Sequence, residues 1–155
     1  MGVRLTKDSV DLGIVVTDAE RSLRFYRDVL GLEYRGELPA PGGATMHQLM
    51  AGTSMIKLLA FETAPAVAAP PGGIGDATGY RYWTMSVSNI HEIAATCEAA
   101  GHPPRFGPTE IRAGVHIAVV TDPDVRPVHP LRRVGASSQS IWRNSTRLPS
   151  GSGPR

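Results

Sequence analysis

Lys57 carries the clearest chemical consequence in this sequence. It interrupts an otherwise apolar run, Met55 to Phe61, where an ammonium taken out of water without a partner is costly. Such a charge must either find a carboxylate or serve as the anchor for a ligand's carboxylate or enolate oxygen. Glu110 is the candidate for proton transfer, since a carboxyl in a partly apolar pocket has a raised pKa and can act as a general base. Its alternative is a solvated strand-end charge paired with Arg112. His47 and His116 also stand in strand-like segments, where a histidine either meets a ligand or serves as a structural hydrogen-bonder. Arg81, Tyr82 and Trp83 are consecutive, so alternation lets only alternate members face one side. With Tyr82 turned inward, Trp83 belongs to packing. No Ser-His-Asp or Cys-His order, phosphate-binding glycine loop or zinc-knuckle spacing occurs.

These residues need elements to position them. Leu12 to Val16 is a short β-branched apolar run, the length of a buried strand. Thr17 stands three residues before Glu20, the spacing of a capping box. Leu23, Tyr26 and Leu30, flanked by Phe25 and Val29, give a helix one apolar face, and Gly31 supplies the left-handed residue that ends it. Leu32–Glu37, Thr45–Ala51 and Met55–Phe61 read as strands, with a loop at 39–43 and a hairpin turn at 52–54. Residues 8–62 thus spell βαβββ. Thr63 to Gly79 is dominated by Ala, Pro and Gly and reads as a linker. The pattern then restarts over residues 80–124. A strand spans Tyr82–Val87, Asn89 opens a helix with Glu92 three residues on, and Gly101 ends it. Two more strands follow at Arg105–Arg112 and Val115–Thr121. Asp11 matches Tyr82, Val16 matches Val87 and Asp18 matches Asn89 at a spacing of 71 residues. Such a repeat predicts two half-sheets curling around a common cavity, because each half alone leaves a sheet face unburied.

Composition limits the function classes. At 155 residues and 41% hydrophobic content, the chain suits one compact α+β domain. No apolar run reaches the ~20 residues of a membrane span, and the first residues lack the apolar centre of a secretory signal. The single Cys97 excludes an intramolecular disulfide, fits a reducing cytoplasm, and falls on an apolar helix face as a small core residue. The net charge of +2 divides unevenly: residues 1–124 carry ten Lys or Arg against fourteen Asp or Glu, while 125–155 carry six Arg and no acid. The acidic body argues against nucleic-acid binding. The basic segment after Asp124 reads as a tail, disordered by default. Pro127 and Pro130 limit any final strand there to an edge strand.

The run Ser22-Leu-Arg-Phe-Tyr-Arg-Asp-Val-Leu-Gly-Leu32 within Asp11–Gly31, the Val87–Gly101 helix and Thr121-Asp-Pro-Asp124 resemble the vicinal oxygen chelate superfamily. That superfamily includes glyoxalase I, the bleomycin-resistance proteins and the extradiol dioxygenases. The resemblance covers roughly residues 8–124. It implies two βαβββ modules around a U-shaped cavity, commonly a homodimer, and a small-molecule ligand. Two functions follow as expectations: a glyoxalase-like lyase or isomerase acting on neighbouring oxygens, or ligand sequestration without catalysis. Family enzymes hold a divalent metal on inward positions of the first, fourth, fifth and eighth strands, which fall on Asp11, Lys57, Tyr82 and His129. Each departs from the family's His and Glu pattern, and an ammonium at Lys57 would repel a cation. The expectation is therefore a cavity without a family-type metal or other cofactor, in which Lys57 pairs with Asp11. Substrate contacts would come from Asp11, His47, Lys57, Tyr82, Arg112 and His116, with Glu110 as the catalytic base.

Overall fold

A computed structural model of the chain describes residues 2–124 and, as backbone only, 127–133. Its first half runs β1 (Leu12–Val16), α1 (Ala19–Leu23), a π-helical continuation (Arg24–Val29), β2 (Glu33–Ala40), β3 (Ala44–Ala51) and β4 (Ser54–Phe61). The second runs β5 (Trp83–Ser86), α2 (Ile90–Ala99), β6 (Phe106–Arg112), β7 (Val115–Thr121) and β8 (Pro127–Arg133). The order is β1-β4-β3-β2 in one sheet and β5-β8-β7-β6 in the other. In each sheet the first strand pairs parallel with the fourth, and the remaining pairs are antiparallel. The α+β class expected from the alternating periods is the class observed.

Strand register divides the side chains of the first sheet. Leu12, Ile14 and Val16 lie level with Ile56, Leu58 and Ala60. Ile14, Val16, Ile56 and Leu58 are buried in one core with Leu23, Phe25, Tyr26 and Leu49. The alternate residues Gly13 and Val15, level with Lys57 and Leu59, therefore occupy the other face. The core is shared between the halves, since Cys97 and Val120 belong to the same cluster. Burial pushes the Cys97 thiol pKa up, which suits an inert packing residue.

Polar contacts then fix the halves together. The Tyr26 hydroxyl donates to Asp122 at 2.9 Å in a buried site, and the Phe25 ring meets His102 at 4.7 Å. Asp124 accepts from the Thr17 amide and hydroxyl and from Arg21. That last cluster corrects the expected capping box. The N-cap is Asp18, whose carboxylate accepts from the Arg21 amide at 2.9 Å, because the Thr17 hydroxyl is engaged by Asp124, 107 residues along the chain.

The final strand also departs from expectation. β8 is not at an edge but between β5 and β7. Its ladder with β7 pairs Val120 with Val128 and Ile117 with Leu131. The two positions between are skipped, where Pro130 has no N–H to give. A parallel ladder to β5 on the other side places Met85 opposite Pro130, so the donors missing at Pro127 and Pro130 weaken the ladder without ejecting the strand. The rest of the expected tail lies outside the described residues.

Candidate functional site

β1 and β5 are each an outer strand of their sheet, and a cleft of about 590 Å³ opens beside them. Its walls are mainly apolar: Leu12, Leu30, Leu32 and Ile56 from the first half, Trp83, Met85 and Ile93 from the second. Polar character comes from Asp11, Ser54, Tyr80, Thr84 and Ser86. A smaller cavity of about 210 Å³ lies farther along the same strands, between Gly13–Val15 and Tyr80–Trp83, and includes Tyr26 and Asp122. A concave apolar site with a few polar groups is the usual form of a small-molecule pocket.

Asp11, at the rim of this cleft, pairs with Lys57, which lines neither cavity. The Lys57 ammonium lies 3.4 Å from Asp11 Oδ2, while Oδ1 accepts from the Met55 amide at 3.0 Å and from Lys7. Two ammonium groups and an amide thus share one carboxylate, whose side chain is 27% exposed. The Lys7 hydrogen bond, and then the Met55 amide, lower the Asp11 pKa from 3.8 to about 2, because both stabilise the ionised form. A depressed folded-state pKa adds stability that is present above the unfolded value and lost as pH falls through the folded one. The melting-temperature gap between the wild type and Asp11→Asn is therefore expected to be widest above pH 4. It should close between pH 4 and pH 2 in a calorimetric series; a gap independent of pH would refute the charge-paired role.

The other expected site residues are placed elsewhere. His47 is level with Leu58 and is 7% exposed, so it lies on the core face, opposite that of Lys57. Its Nδ1 is 3.1 Å from the Tyr34 hydroxyl and 3.2 Å from Glu37, a structural network. Burial, followed by the charge of Glu37, raises the Tyr34 pKa. Glu110 is exposed and its carboxylate accepts from the Gly114 amide at 2.7 Å, closing the β6–β7 hairpin. Its partner is that amide rather than Arg112, and neither residue lines either cavity. Nothing in this position makes Glu110 a base for a cleft ligand. His116 is level with Glu110 and its ring meets His91 at 5.5 Å, again away from both cavities. Tyr82 does line the smaller cavity, but so do its neighbours Arg81 and Trp83, and Trp83 both packs against the core and lines the larger cleft, so strict alternation does not sort these three residues. The hydroxyls of Ser54, Tyr80, Thr84 and Ser86 were not legible as site residues, because nothing in their local sequence distinguishes them from solvent-facing polar positions.

The donor set does not fit the family-type metal. At the four corresponding positions, Asp11 is already held by two cations and an amide, and Lys57 is itself a cation. Tyr82 is a weak ligand while protonated, and the His129 side chain lies outside the described residues. No group of three or more His, Cys, Asp or Glu suited to an ion occurs among the described residues. None of the described helices is long and apolar enough to cross a membrane.

Residues 9–125 match the family model described as the glyoxalase/bleomycin resistance protein/dioxygenase superfamily. Solved structures with a similar fold include a glyoxalase family protein from Bacillus cereus (TM-score 0.73, 17% identity, covering 86% of this chain and 97% of that one). A glyoxalase family protein from Enterococcus faecalis aligns with TM-score 0.65 and 21% identity, covering 81% and 98%. The trypanothione-dependent glyoxalase I of Leishmania major aligns with TM-score 0.62 and 21% identity, covering 82% and 87%. No curated protein matches the chain significantly.

Proposed function

Given that the chain belongs to the glyoxalase/bleomycin resistance protein/dioxygenase superfamily, we propose that it binds a small, largely apolar molecule in the β1/β5 cleft and sequesters it without metal chemistry. Membership supports a small-molecule-binding function. The observation that carries the finer reading is the Lys57–Asp11 ion pair, which puts a cation and its counter-ion where family enzymes assemble a metal centre. The cleft walls supply hydrophobic burial, worth roughly 25 cal/mol per Å² of apolar surface removed from water. The hydroxyl groups along β5 supply orientation.

Metal analysis and thermal shift on the purified full-length chain test this reading together. The expectation is substoichiometric divalent metal, and stabilisation by cleft-binding compounds from an apolar small-molecule panel that a chelator leaves unchanged. A compound at 100 times its Kd adds about 2.7 kcal/mol to the folded state. Stoichiometric metal, or binding abolished by chelation, would sink the reading.

Glyoxalase-like lyase or isomerase catalysis is a second reading, favoured by one feature. Lys57 is 33% exposed, and Asp11 keeps Lys7 and the Met55 amide as partners if Lys57 turns to a ligand oxyanion. Lys57→Met separates the two readings: sequestration of uncharged ligands is expected to survive it, whereas oxyanion-dependent turnover would not.

A further inference from the structure

The linker between the halves is organised by one side chain. Arg81 Nη1 donates to the Pro70 carbonyl at 2.8 Å, and Nη2 lies 3.3, 3.3 and 3.0 Å from the carbonyls of Pro71, Gly72 and Gly73. Four consecutive main-chain carbonyls therefore converge on one guanidinium. Pro70 and Pro71 cannot offer an N–H, and no helix or strand forms between Glu62 and Arg81. Charge-assisted bonds from a planar fork are well suited to gather such otherwise irregular backbone. Asp76 tightens the same turn by accepting from the Gly73 amide.

The residue before this anchor is Tyr80. It lines both the 590 Å³ cleft and the 210 Å³ cavity, and it is the only residue besides Trp83 to do so among those described. It is also 68% exposed, so it stands at the openings rather than in the core. Arg81 itself lines the smaller cavity, and its Nε is buried without a hydrogen-bond partner in the described structure. The guanidinium is thus committed to the linker at one end and sits against the cavity wall at the other.

We propose that Arg81 is a specificity-determining latch: by clamping the carbonyls of residues 70–73 it seats Tyr80 across the two openings, so that the linker decides which ligands enter the cleft. The proposal rests on the reading of the cleft as a ligand site for its consequence, but not for its mechanics. Without the clamp, a segment rich in Pro and Gly keeps among the described residues only the Gly73–Asp76 hydrogen bonds to hold its turn. Tyr80 is then free to leave the openings, and the two cavities become continuous for a larger ligand.

The test uses the full chain and two readouts, limited digestion of the linker by a non-specific protease and titration with 8-anilinonaphthalene-1-sulfonate. In Arg81→Ala, linker cleavage is expected to accelerate about tenfold, as local opening becomes easier, and dye affinity to change at least about threefold. Guanidinium at low millimolar concentration should restore protection, whereas equal sodium chloride should not. Arg81→Lys keeps the charge but lacks the fork, and is expected to fall between wild type and alanine. Tyr80→Ala should alter dye binding and leave cleavage of the segment unchanged. Unchanged cleavage in both Arg81 variants would overturn the latch. Faster cleavage with dye binding unchanged in all three variants would overturn control of entry, while leaving sequestration in the cleft to its own test.

Discussion

Gly107→Ala is expected to lower global stability by about 3 kcal/mol or more, the range reserved for forced backbone clashes. Gly107 has φ +72°, and a Cβ at this position would lie 2.2 Å from the Ile117 carbonyl oxygen, 2.9 Å from the Thr109 amide nitrogen and 3.1 Å from Ala118 Cα. All three neighbours are backbone atoms, so no rotamer change relieves the overlap. The residue sits where the β6–β7 register shifts between Phe106/Val119 and Thr109/Ile117. Insertion of a methyl group must therefore part the two strands at the shift. Gly31→Ala provides the control. Its φ is the same, +72°, but nothing lies within 4 Å of the built Cβ, so only the dihedral cost of about 1–2 kcal/mol remains. Urea denaturation followed by circular dichroism reads both variants. Equal losses would show that conformation rather than collision governs Gly107.

Tyr26→Phe is the second substitution with a large expected effect, about 1–3 kcal/mol, the cost of removing one hydrogen-bond donor from a buried carboxyl acceptor. Tyr26 is fully buried and Asp122 is 4% exposed, and the 2.9 Å bond between them joins the first helical segment to the residue that follows β7. The Tyr26 ring also stacks on Trp83 with centroids 6.4 Å apart, and Trp83 lines both cavities. Loss of the hydroxyl should thus loosen the packing of Tyr26 against a cleft-lining ring, and weaken ligand binding along with stability. Asp122→Asn keeps an acceptor oxygen for the Tyr26 hydroxyl, so it should cost less than Tyr26→Phe. A double-mutant cycle at pH 7 checks the pairing. Additive losses would mean that the two side chains act through other partners.

The elements were legible because local rules define them. Asp11–Gly31 announces a strand, a helix and a stop by periodicity and one glycine, and the 71-residue spacing from Asp11 to Tyr82 announces the second half. Cys97 was legible as core from helical spacing alone. That Lys57 needs a counter-charge could be anticipated from an ammonium in an apolar strand, and the family resemblance offered Asp11, just before β1, as the acid.

Other features depended on contacts between distant parts of the chain. Alternation states that His47 and Gln48 face opposite ways, but only pairing with β4 decides that Gln48 is level with Lys57 and His47 with Leu58. The histidine is a buried partner of Tyr34 and lines neither cavity. Local sequence offered Thr17 as a cap, yet Asp124 claims its hydroxyl across the fold, and the role passes to Asp18. Two prolines argued for an edge strand, but strands on both sides of β8 keep enough ladder bonds to hold it inside. Glu110 looked like a free carboxylate until the hairpin placed the Gly114 amide beside it. Periods, stops and the need for a counter-charge act within a few residues and are readable from local sequence. The tertiary structure decided faces, partners and the lining of the cleft, because those follow from strand register and from groups brought together across a hundred residues of chain.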